Sequence, residues 1–121
     1  MATGLPDPTW VWLDVLAEEC NEISRSKGWL EEKRTFGDLI SLMHSELSEA
    51  LEEFRNGRGY DEIYYTPENP DKPEGIPIEL ADVLIRVLQA SANLGIPIGE
   101  AVARKLDYNK TRSHRHGGKK I

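Results

Sequence analysis

The chain has almost no cysteine, no long apolar run and few aromatic residues, and each shortage removes a class of protein. One cysteine, Cys20, rules out an internal disulfide and a multi-cysteine metal site. It reads as a buried helical thiol, because a catalytic thiol needs an activating neighbour that the sequence does not supply. No apolar run approaches the roughly 20 residues needed to span a bilayer. The first ten residues, MATGLPDPTW, lack the basic and then apolar regions of a secretory signal. A cytoplasmic protein with no membrane partner is the expectation. Aromatics make up 7% of the residues and are not interleaved with basic groups as in single-strand nucleic-acid binders. Internal repeats are absent too.

What is present is charge, unevenly placed. The 121 residues carry a net charge of −6, with 30% charged and 39% hydrophobic residues, values typical of a folded domain. This length suits one domain over 1–121 with a single core. From Glu100 onward, seven Lys/Arg stand against Glu100 and Asp107, a net +5, so the preceding residues carry −11. A basic tail on an acidic body either binds nucleic acid or closes over an anion held by a metal in the acidic part.

Apolar periodicity predicts four helices. The first starts at Asp7-Pro8 and runs to about Ser26, with Trp12, Leu13, Leu16, Ala17, Cys20 and Ile23 as its apolar positions. The second starts near Thr35, where Thr35-x-x-Asp38 has the form of a capping box, and stops at Asn56-Gly57. The third covers about Ile78 to Leu94, with Gly95 as its C-cap, and the fourth about Ile98 to Arg112. Residues 58–76, with three prolines and three tyrosines, read as a long loop, apart from a short strand considered near Ile63 to Tyr65. Residues 113–121 form an irregular basic tail. The expected architecture is an all-α four-helix bundle with a long connection between the second and third helices.

The third helix carries the most information. Between Ile78 and Gly99 the only charged residues are Glu79, Asp82 and Arg86, set among Leu80, Ala81, Val83, Leu84, Ile85, Val87 and Leu88. A helix apolar on most sides belongs in the middle of a bundle. Glu79 and Asp82, at i and i+3, share a face. The second helix presents a like pair, Glu46 and Glu49, rather than an answering cation. Four carboxylates facing one space repel unless a cation joins them, and all-oxygen ligation selects Mg2+, with Mn2+ as a substitute. The bland alternatives are a solvated glutamate face for Glu46 and Glu49, and dipole-favoured acids in a first helical turn for Glu79 and Asp82. The second suits Asp82 poorly.

With SELSEALEEF (Ser45 to Phe54) and IELADVLIRVL (Ile78 to Leu88), the chain resembles the MazG-like members of the all-α NTP pyrophosphatase superfamily. Their signature is E-x-x-E on one helix and E-x-x-D on the next. KGW at Lys27 to Trp29 and KLDYNKTRSHRHGGKK at Lys105 to Lys120 extend the likeness to the phage-associated, single-domain branch. The resemblance implies Mg2+-dependent hydrolysis of a (d)NTP to its monophosphate and pyrophosphate by a homo-oligomer, dimer or tetramer. It places Glu46, Glu49, Glu79 and Asp82 as metal ligands.

Phosphoryl chemistry further needs a proton acceptor and cations for the phosphates. Glu49 is the named candidate base, the other acids remaining open. Lys105, Asn109 and Arg112 fall on one face of the fourth helix, and Lys119 and Lys120 flank Gly117-Gly118; all are candidate phosphate contacts. Trp29 is a candidate base-stacking residue, against a plain core role. Arg86 pairs with the carboxylates as readily as with phosphate. His44, His114 and His116 read first as a helix-surface residue and tail residues.

Two other classes compete. A di-iron carboxylate bundle needs Glu-x-x-His on two helices, and here the fourth positions are Glu49 and Asp82. A non-enzymatic bundle binding nucleic acid or a partner through the basic C-terminal segment would have to overcome repulsion between the acidic body and a long polyanion. No nucleic-acid partner is therefore expected.

Overall fold

The computed structural model describes residues 8–28 and 33–112. Four helices and one small sheet make up these residues: α1 (Pro8–Ser26), α2 (Phe36–Arg55), β1 (Tyr64–Thr66), β2 (Asn69–Glu74), α3 (Ile76–Leu94) and α4 (Ile98–Thr111). No helix among them is long and apolar enough to cross a membrane.

The helix ends follow the local chemistry. Thr35 accepts from the Asp38 backbone N–H at 3.1 Å, and Asp38 accepts from the Thr35 N–H at 2.9 Å, completing the capping box. Gly95 closes α3 in the left-handed conformation, φ 72°. The cap of α4 comes from another helix: Asp14 on α1 accepts from the Gly99 N–H at 3.0 Å. A Cβ on Gly99 would lie 2.1 Å from the Trp10 carbonyl oxygen, so only glycine permits this close approach of α4 to α1. The Asp7 cap proposed for α1 lies outside the described residues.

α3 packs against both α1 and α2, while α4 packs chiefly on α1. The α1–α3 contact is built from small groups. Ala17, Cys20 and Ser24 on α1, with Leu88, Ala90 and Ser91 on α3, are buried, and Leu16, Ala92 and Ile98 pack on the cluster of Ala17, Cys20 and Leu88. Small side chains let the backbones approach closely. The buried stripe of α1 thus turns away from Trp12 and Ile23, both expected on the apolar face and both exposed.

Two expectations are corrected. Residues 58–76 are not a loop throughout: the strand considered near Ile63 to Tyr65 is β1, which pairs antiparallel with β2, with Tyr64 opposite Glu74 and Thr66 opposite Asn69, and α3 begins at Ile76 rather than Ile78. The hairpin is fastened to α2, because the Tyr64 hydroxyl donates to both Glu53 carboxylate oxygens at 2.8 and 2.9 Å. Arg58 stacks on the Tyr64 ring at 3.5 Å and pairs with Glu62 at 2.8 Å. The second correction concerns α3, which is central in contacts but not apolar-packed on most sides: Leu80, Leu84 and Ile85 are exposed.

Candidate metal centre

Glu46 meets Arg86 and Glu49 meets Glu79, so α2 and α3 run antiparallel with their acidic faces opposed. Helical spacing places Glu46 and Glu49 one turn apart on α2, and Glu79 and Asp82 one turn apart on α3. Ligand atoms of Glu46, Glu79 and Asp82 lie within 4.8 Å of one another. Opposed ligands around Mg2+ stand roughly 4.2 Å apart, so a small inward movement would give these oxygens a common centre. Glu49 is exposed and stands beside Glu79 rather than within the threefold cluster.

The electrostatics record the crowding. Burial first, then a hydrogen bond and repulsion from Glu49, push the Glu79 carboxyl up to about 7. Asp82 is also raised, by burial and then by Glu46, with Arg86 and Lys72 opposing. Glu79 Oε2 is closed off from solvent and has no hydrogen-bond partner among the described residues. A shielded carboxylate oxygen without a donor, beside two further acids, is compatible with all-oxygen ligation of a cation. The donor set fits a hard divalent ion.

Beside the carboxylates opens a cavity of about 490 Å³, lined by Gly28, Arg34, Glu46, Asp82, Ile85, Arg86 and Gln89. Asp82, Ile85, Arg86 and Gln89 share one face of α3 at helical spacing. The Arg86 Nε donates to Glu46 Oε1 at 2.8 Å, one of the two pairings left open for it. Lys72, on β2, lies near enough to Asp82 to favour its ionised form.

The other expected site residues fall elsewhere. Lys105 and Asn109 on α4 and Arg112 at its C-cap are exposed, and none lines the cavity. Lys105 and Arg112 instead reach the Tyr108 ring, at 4.9 and 5.8 Å. Within one chain, then, the basic face of α4 is not brought to the carboxylates. His44 is exposed on α2. Burial raises the Cys20 thiol, which agrees with a structural role. Trp29, Lys119 and Lys120, with His114 and His116, lie outside the described residues.

Sequence reasoning missed Arg34, Lys72, Ile85 and Gln89. Gln89 could have been found by extending the Glu79, Asp82, Arg86 stripe one more turn. Lys72 could not, because its position depends on the hairpin. No family model, no curated protein and no solved structure matches the chain.

Proposed function

We propose that the chain is a Mg2+-dependent nucleoside triphosphate pyrophosphohydrolase, a MazG-like four-helix bundle of the all-α NTP pyrophosphatase type that works as a homo-oligomer in the cytoplasm. The observation that carries this reading is the meeting of E-x-x-E and E-x-x-D across α2 and α3, with Glu79 Oε2 buried and without a hydrogen-bond partner among the described residues. Mg2+, or Mn2+ in its place, would neutralise phosphate charge and acidify water at the cluster. Glu46, Glu79 and Asp82 would hold the ion, with Glu49 joining them or taking the proton of the attacking water. Its exposure beside Glu79 suits that second role. Arg86 and Arg34 on the cavity wall and Lys72 on the hairpin supply cations for the phosphates and the departing pyrophosphate. Lys105, Asn109 and Arg112 would reach a phosphate only on a neighbouring subunit. Exposed apolar side chains on α2 (Leu47, Leu51, Phe54) and α3 (Leu80, Leu84) support association of copies.

The test is pyrophosphate release from a panel of canonical and modified (d)NTPs with Mg2+. Wild type is expected to be active on at least one, and Glu49→Gln and Asp82→Asn to lose at least about a hundredfold in rate while keeping the wild-type circular dichroism. Full activity in both variants would overturn the assignment.

A further inference from the structure

Arg86 faces two chemistries at once. Its Nε is bonded to Glu46 Oε1 at 2.8 Å, and Glu46 is one of the three clustered acids. The Glu46 side chain is 13% exposed and that of Arg86 35%, so the acid is the fixed partner and the guanidinium the one with room to move. The same Arg86 lines the cavity together with Glu46, Asp82, Arg34 and Gln89. A divalent cation among Glu46, Glu79 and Asp82 would compete with Arg86 for the Glu46 carboxylate, and would repel the guanidinium at short range. Arg86 would then turn from its single bond to Glu46 to an anion able to take both arms of the guanidinium, and a phosphate does.

We infer that Arg86 exchanges partners: it holds Glu46 in the metal-free protein and a phosphate oxygen of a polyphosphate ligand once the cation is bound. This rests on the reading of the carboxylate cluster as a metal centre. The exchange makes binding ordered. Without the cation, Arg86 lines the cavity with its Nε engaged by Glu46, so its fork is not fully open to a ligand there. With it, the cavity gains a bidentate donor beside Arg34. Metal and polyphosphate therefore bind cooperatively through one side chain, with the metal first.

Calorimetry tests the exchange on wild type, Arg86→Met and Arg86→Lys. The probes are Mn2+ alone and the α,β-imido analogues of dATP, dCTP, dGTP and dTTP, titrated with and without saturating Mn2+. Arg86→Met is expected to bind Mn2+ about tenfold more tightly, since nothing competes for Glu46, and to bind its best analogue about a hundredfold more weakly when Mn2+ is present. The factor by which Mn2+ improves analogue binding should shrink at least about tenfold in the variant. Arg86→Lys, which keeps the charge but loses the fork, should show the same signs with smaller sizes, and it decides the matter if Arg86→Met does not fold. Weaker or unchanged Mn2+ binding in the variants would make Arg86 a fixed clamp on Glu46 and overturn the exchange. So would an undiminished effect of Mn2+ on analogue binding. Wild type that binds no Mn2+ would overturn the metal reading itself, together with the exchange.

Discussion

Glu79 is the residue in which the helix pairing leaves its clearest mark. Its folded-state carboxyl titrates at about 7 against an ordinary 4.5, so the folded protein holds this proton more tightly than the unfolded chain does. The corresponding stability is fully present below about pH 4.5 and is lost as pH rises through about 7. The metal-free protein should therefore melt at a lower temperature at pH 8 than at pH 5.5. Glu79→Gln, a neutral isostere, should flatten that slope in a scanning calorimeter, and a slope unchanged by the substitution would place the proton elsewhere. Divalent cations should reverse the effect above pH 7, because they replace the proton as the counter-charge. Sequence made the E-x-x-D pair legible through helical spacing. The closeness of Glu79 to Glu49 was not legible, since it depends on the distance between two side chains with 29 residues between them along the chain.

At the scale of elements, the helices were largely legible and the hairpin was not. Thr35 and Asp38, Asn56-Gly57 and Gly95 mark helix ends by chemistry local to the chain, and each is found at an end. β2, with the sequence NPDKPE, lacks the β-branched and aromatic alternation by which strands are recognised, and its two prolines each lack a ladder donor. It is held by what it touches: pairing to Tyr64 and Thr66, and the fastening of Tyr64 to Glu53 eleven residues earlier. The joint between hairpin and α3 is Gly75, at φ 126°, where a Cβ would lie 2.2 Å from the Glu62 carbonyl oxygen. The clash is with backbone, in a conformation that side chains rarely adopt, so neither partner yields easily. Gly75→Ala should cost about 3 kcal/mol in urea-induced unfolding. It should also lower any (d)NTPase activity by displacing Lys72 and the first turn of α3, which carries Glu79. Loss of less than about 0.5 kcal/mol would show that the joint relaxes freely.

Across the whole molecule, apolar surface outruns the core available to cover it. Among the described residues one large side chain, Leu88, is almost completely enclosed, while eighteen large apolar side chains are exposed. A soluble monomer does leave single hydrophobics at its surface. Here, though, they recur at helical spacing: Leu47, Leu51 and Phe54 at i, i+4 and i+7 on α2, and Leu80 and Leu84 at i and i+4 on α3. The same periodicity that identified α3 as a central helix could not say whether its apolar positions face the same chain or another copy, because burial in either leaves an identical pattern in sequence. Leu88 faces its own chain and Leu84, one turn earlier, does not. The proposed homo-oligomer would account for both, and it would also let the exposed Lys105, Asn109 and Arg112, which do not line the cavity of their own chain, serve the carboxylate cluster of a neighbour. Sedimentation at micromolar concentration should give a multiple of 13.7 kDa, and the melting temperature should rise with protein concentration, as linkage between folding and association requires. Leu51→Glu and Leu84→Lys, each introducing a charge into an exposed apolar stripe, should shift the mass toward the monomer and remove the concentration dependence. Monomeric wild type with a concentration-independent melting temperature would leave the stripes without a partner copy, and would confine the search for phosphate contacts among the described residues to Arg34, Lys72 and Arg86 of the same chain.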